Sequence, residues 1–132
     1  MNSYTIFAID NDSDLHTVSK FMRHIDTQKA MGKMQGTMKP CIGSYKGKLE
    51  QSYIVSQEDF DKHVKPSGYV DNQESFLVIE DGHRGVTYGK LVYSNNDADQ
   101  PLGVVRATPK DKALVCEAWT YRQELDTYYV CS

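Results

Sequence analysis

The chain reads as an α+β protein: a ferredoxin-like sandwich, with a mostly antiparallel sheet, two helices on one face and extra C-terminal strands. Three observations predict this. A short β-rich apolar run is followed at once by apolar residues at helical spacing; a second, shorter helical pattern follows a second β-rich segment; and the rest of the chain is strand after strand separated by turn residues. At 132 residues the chain has the length of one domain, residues 1–132, large enough to bury roughly two thirds of the surface it exposes when unfolded.

Residues 4–10, YTIFAID, form an apolar, β-rich run that reads as a buried first strand. Asn11, Asp12 and Ser13 then offer N-cap oxygens to a helix whose apolar stripe is Leu15, Val18, Phe21, Met22 and Ile25. Gly32 and Gly36 end that pattern in a loop bearing Met31, Met34 and Met38. Flexible thioethers there fill an irregular core edge or subunit contact more readily than they line a ligand site. His16 and His24 read as solvated helix residues, because no third ligand type stands at a matching spacing.

Residues 40–56, PCIGSYKGKLEQSYIVS, read as one strand with an interruption. Tyr53, Ile54 and Val55 are strong β-formers, whereas Gly43 and Gly47 flank Ser44, Tyr45 and Lys46. Glycines inside a strand pattern mark a bulge or a place where a ligand approaches the backbone. Tyr45 and Glu50 stand across that interruption, and a phenol and an acid on one irregular strand either line a pocket or simply face water.

Ser56 and Asp59 resemble a capping box for a short helix over about residues 57–65, which Pro66 and Gly68 stop. Residues 75–80, SFLVIE, have a continuous apolar centre and read as a strand covered on both faces. A five-residue loop, 81–85, returns the chain along residues 86–93. Within it Gly82-His83-Arg84-Gly85 is basic enough to touch an anion but is explained by the turn. Residues 95–100 form a polar loop, 102–108 a further strand, and 113–120 and 127–131 a C-terminal hairpin about a turn at 123–126.

Composition excludes several classes. Fifteen Lys and Arg against eighteen Asp and Glu give a net charge of −3, with no basic run to follow a phosphate backbone, so no nucleic-acid partner is expected. Cys41, Cys116 and Cys131 are widely spaced and form no CxxC, so neither a disulfide framework nor a metal site is implied. No signal peptide and no apolar run of membrane-spanning length is seen. A cytoplasmic protein without a membrane partner, metal or cofactor is the expectation. Nucleophile elbow, phosphate loop and zinc helix are all missing from the pattern.

The order of elements resembles that of the phage-encoded S-adenosylmethionine lyases, formerly described as S-adenosylmethionine hydrolases. The resemblance runs from the N-terminal strand and helix to Gly43-Ser44-Tyr45, then to Glu50 entering QSYIV, then through SFLVIE and VTYGKLVY to the Gly103–Pro109 stretch. It implies cleavage of the sulfonium substrate to 5′-methylthioadenosine and L-homoserine lactone, by attack of the substrate's own carboxylate. It also implies Tyr45 and Glu50 as catalytic residues, Gly43, Ser44, Tyr45 and Glu50 as the substrate-binding set, and a homotrimer with sites between subunits. The predicted sheet face left without helical cover agrees with such an oligomer. In the infected host cell the reaction would deplete the methyl donor and so counter restriction and methylation. The shorter spacing here leaves Glu58 as another carboxylate in range, but an acid in a first helical turn is already explained by the helix dipole. The alternative is a non-enzymatic trimer that binds an adenine nucleotide, S-adenosylmethionine or a host factor.

Overall fold

Eight antiparallel strands close on themselves in the order β1-β3-β2-β7-β8-β6-β5-β4. The structure is a computed structural model that describes residues 2–10 and 14–132. The strands are β1 (Ser3–Phe7), β2 (Lys39–Tyr45), β3 (Lys48–Ser56), β4 (Ser75–Asp81), β5 (Thr87–Tyr93), β6 (Gln100–Thr108), β7 (Ala118–Arg122) and β8 (Thr127–Cys131). Helix α1 (Leu15–Ala30) and the turn α2 (Gln57–Asp59) precede β2 and β4 respectively, and α3 (Lys110–Ala113) precedes β7. The expected ferredoxin-like sandwich is therefore corrected to a closed barrel. Among the described residues no strand is left at an edge, because β2 pairs with both β3 and β7, and β6 with both β5 and β8.

Two local misreadings produced the error. The stretch 40–56 is two strands, because Lys46 (φ 50°) and Gly47 (φ 82°) both take positive φ and reverse the chain in two residues. A Lys-Gly pair carries a weaker hairpin signal than Asn-Gly, so the turn passed for an interruption. The strand expected over 113–120 begins only at Ala118, and α3 and a turn occupy the residues before it. Its Ala113 is fully buried, whereas Leu114 and Val115 are exposed.

Closure gives the wall two apolar layers. Outside, α1 and the segment after β3 lie over β1, β3 and β4, gathering Phe7, Phe21, Ile25, Val55, Phe60, Val64 and Phe76 into the main core. Phe21 is central: it meets Phe7 edge-on at 6.0 Å and Tyr69 at 5.4 Å. Met34 and Met38 pack against this cluster, so two of the loop methionines do fill a core edge. Inside, Ile6, Cys41 and Ile54 form a second cluster with Tyr4, Leu77 and Ile79. Residues 75–80 are thus covered on both faces, Phe76 by the outer layer and Leu77 and Ile79 by the interior, and Val78 is buried as well.

Helix α1 is capped by Asp14, whose Oδ1 accepts the His16 N–H at 3.0 Å. Asn11, Asp12 and Ser13, expected to cap it, lie outside the described residues. His24 is tied down rather than free, its Nε2 lying 2.9 Å from the His63 carbonyl. The capping signal at Ser56 holds, because its Oγ accepts the Asp59 N–H at 3.2 Å. Asp59 itself does more than the pattern suggested. It is buried, and its carboxylate accepts the Gln35 N–H at 2.9 Å and the Gly36 N–H at 3.1 Å, fastening the methionine loop to the barrel. The helix expected over 57–65 is three short pieces: α2, a wide π-turn over Phe60–Val64 and a tight turn over Lys65–Ser67.

Candidate active site

The β2–β3 hairpin sets the geometry of the residues singled out above. Gly43 lies opposite Glu50, and Tyr45 opposite Lys48. Side chains alternate across a strand, so Gly43, Tyr45, Lys48 and Glu50 share one face of the hairpin, with Tyr45 and Glu50 as diagonal neighbours. The face is the inner one, since it continues into the buried Cys41 and Ile54. Ser44 belongs to the other face, opposite Leu49 and Trp119, where its side chain is buried. Sequence reasoning read the phenol and the acid on one interrupted strand; they are diagonal neighbours on two strands because the chain turns back between them.

Strand β7 completes a row. Thr120 pairs with Gly43 on the side away from Glu50, and Tyr129 of β8 pairs with Thr120. Glu50, Gly43, Thr120 and Tyr129 therefore stand side by side on the inner face, and at Gly43 the row has no side chain. A Cβ built there would lie 3.8 Å from Ser52 Oγ and 3.9 Å from the Glu50 carbonyl, so the gap is open. Tyr45, at 59 % exposure, forms its outer wall at the hairpin tip.

The charge at the tip is organised around Lys46. Its ammonium lies 5.2 Å from the centre of the Tyr45 ring and 3.7 Å from a Glu117 carboxylate oxygen. Tyr45 first, and Glu117 after it, raise the Lys46 pKa above its ordinary value. A cation of the chain itself therefore lies against this ring. The Lys46 N–H donates to the Glu117 carbonyl at 2.8 Å, which joins the hairpin tip to the segment leading into β7.

Glu58, the other carboxylate in range, lies in the first turn after β3 and is paired at 2.6 Å with Lys62, one turn further along. It takes no part in the row. Thr120 and Tyr129 are the members that sequence reasoning missed; only the register of β7 against β2 reveals them.

The family model of the S-adenosylmethionine lyases matches residues 11–132, all but the first ten residues of the chain. The chain belongs to the S-adenosylmethionine lyase family. It is accordingly an enzyme of that kind, with S-adenosylmethionine as its substrate. No curated protein matches the chain. Among the described residues, no group of three or more His, Cys, Asp and Glu is placed to hold a metal ion. No helix among them is long and apolar enough to cross a membrane.

Proposed function

We propose that this lyase converts S-adenosylmethionine to 5′-methylthioadenosine and L-homoserine lactone on the inner face of the β2–β3 hairpin. One carboxylate oxygen of the substrate bonds to its own γ-carbon while the γ-carbon–sulfur bond breaks. The electron pair leaves on sulfur as a neutral thioether, so no proton, water or enzymic nucleophile is consumed. An anion and a cation both disappear in the transition state, which favours a site that folds the substrate and sheds water.

The observation that carries this reading is the gap at Gly43 between an acid and an aromatic ring. Glu50 takes the α-ammonium of the methionyl end, the Tyr45 ring lies against the sulfonium, and Gly43 and the Ser44 backbone give the substrate room to approach. Glu50 and Tyr45 are the catalytic pair in this assignment.

A site this open needs a cover, and a homotrimer with sites between subunits supplies it. The barrel removes the uncovered sheet face that first suggested an oligomer, but other features support one. Leu49, at 63 % exposure, and Val115, at 84 %, lie near the hairpin tip. On the outer face beside them Trp119, Tyr121 and Tyr128 stack at 5.3 Å and 4.6 Å and are only half-buried. Exposed apolar groups collected at one end mark an interaction surface. Light scattering should give a trimer; a fully active monomer would remove the shared site. In a phage-infected cell, acting in the host cytoplasm, such an enzyme would draw down the methyl donor that restriction and methylation require.

The test is a timed reaction in ¹⁸O-labelled water followed by chromatography and mass spectrometry. Unlabelled lactone formed together with methylthioadenosine supports the intramolecular route; labelled homoserine without a preceding lactone overturns it. Glu50→Gln should lose about 2–4 kcal/mol of transition-state stabilisation, or roughly 30- to 1,000-fold in rate. Tyr45→Phe divides the hydroxyl from the ring: near-normal turnover assigns the ring, a large loss the hydroxyl. Glu58→Gln should be almost silent, and the assignment fails if it abolishes turnover while Glu50→Gln does not.

A further inference from the structure

The barrel interior holds a partly open cavity of about 240 Å³ that shares Thr120 and Tyr129 with the row described above but is not lined by Gly43, Tyr45 or Glu50, to which the proposed reaction is assigned. Its walls are mainly apolar, built from Ile6, Ile54, Leu77 and Val105 among others. Two charged side chains also line it, Arg122 on β7 and Asp81 on β4. Those strands are four places apart in either direction round the ring of eight, so the two charges stand on opposite walls.

They do not neutralise each other. The Arg122 guanidinium donates through one terminal nitrogen to Glu124, whose carboxylate also takes Lys39 at 3.5 Å. Asp81 accepts the Thr87 hydroxyl at 3.4 Å. Among the described residues, no hydrogen-bond partner is placed for the buried Arg122 Nε. Leaving a buried donor unsatisfied is destabilising, the more so on a charged group, so a partner is to be expected for it. Eight-stranded barrels have room inside for side chains or one small ligand.

We infer that the barrel interior is a binding site for a small α-amino acid zwitterion with an unbranched side chain. The carboxylate bonds Arg122, the ammonium bonds Asp81, and the side chain lies against Ile54, Leu77 and Val105. The size argues for this class, because the cavity is below the roughly 300–1,000 Å³ of sites for drug-sized ligands and is too small for a nucleoside conjugate. The charges argue for it too. A simple anion would be repelled by Asp81 and a simple cation by Arg122, whereas a zwitterion satisfies both walls at once.

The site borders the one proposed for the lyase reaction at Thr120 and Tyr129 but leaves out Gly43, Tyr45 and Glu50, and it is tested separately. L-Methionine and L-homoserine serve as probes, titrated into ¹⁵N-labelled protein with amide shifts as the readout. Saturable shifts at Thr87, Val105 and Cys131 are expected, and Asp81→Asn and Arg122→Gln should each weaken binding about tenfold or more. If Arg122→Gln does not fold, the ligand carries the same test: the amine lacking the carboxylate and the acid lacking the amino group should both fail to bind. Binding weaker than about 1 mM overturns the inference, as do analogues that bind equally well or shifts displaced by 5′-methylthioadenosine. Asp81→Asn should keep its S-adenosylmethionine cleavage rate, so loss of amino acid binding and loss of the proposed reaction are told apart.

Discussion

Gly43→Ala separates the fold from the chemistry at the point where the two are closest. Gly43 has no positive φ, and its new Cβ would meet Ser52 Oγ at 3.8 Å and the Glu50 carbonyl at 3.9 Å, which are ordinary contacts. Nothing has to move. Alanine also narrows the unfolded ensemble, so the variant should be more stable than the parent by about 0.4–1 kcal/mol. The same methyl group intrudes on the open place in the row between Glu50 and Thr120. If substrate occupies that place, an added methyl should cost about 1–3 kcal/mol, or roughly 5- to 150-fold in kcat/KM. The assay is methylthioadenosine release by chromatography alongside urea unfolding of the same preparation. Raised stability with unchanged kcat/KM would refute the use of the gap, and lowered stability would show that Gly43 serves the fold instead.

Other positions should respond in stability. Asp59→Asn weakens the buried acceptor of the Gln35 and Gly36 N–H groups and should cost about 1.5–3 kcal/mol; a urea midpoint equal to the parent's would mean that the loop does not depend on it. Gly103 sits at φ +101°, and a Cβ there would come within 2.5 Å of the Ser132 carbonyl oxygen. Gly103→Ala should therefore lose about 1–3 kcal/mol, and a variant as stable as the parent would contradict the close approach of the C-terminal residue to β6. Burial pushes the Cys41 thiol from its ordinary 9.0 to about 12, with the nearby Arg122 charge working weakly the other way. Because the thiolate forms more easily in the unfolded chain, this contribution is complete below pH 9 and is lost towards pH 12. The slope is at most about 1.4 kcal/mol per pH unit. Cys41→Ala should flatten the alkaline loss of stability measured by urea unfolding, and equal slopes in the two proteins would exclude Cys41 as its source.

The amino-acid sequence by itself determined the local elements wherever one period or one turn chemistry was unopposed. The stripe through Phe21 and Ile25 made α1, Ser56 ended β3 and capped the next turn, and alternating or continuous apolar runs made β4, β5, β6 and β8. The resemblance read from the order of elements led to the same family as the match over residues 11–132. Tertiary structure alone decided closure. Whether a set of antiparallel strands remains an open sheet or becomes a barrel depends on β2 meeting β7 and β6 meeting β8, pairings between residues far apart in the chain that no local pattern encodes. It also decided the site. Tyr45 and Glu50 are diagonal neighbours because Lys46 and Gly47 turn the chain between them, and Thr120, Arg122 and Asp81 are brought to the interior by register. A shift of one residue in that register would turn each of them to the outer face, and this is why an inward-facing polar residue cannot be told from a solvated one before the strands are paired.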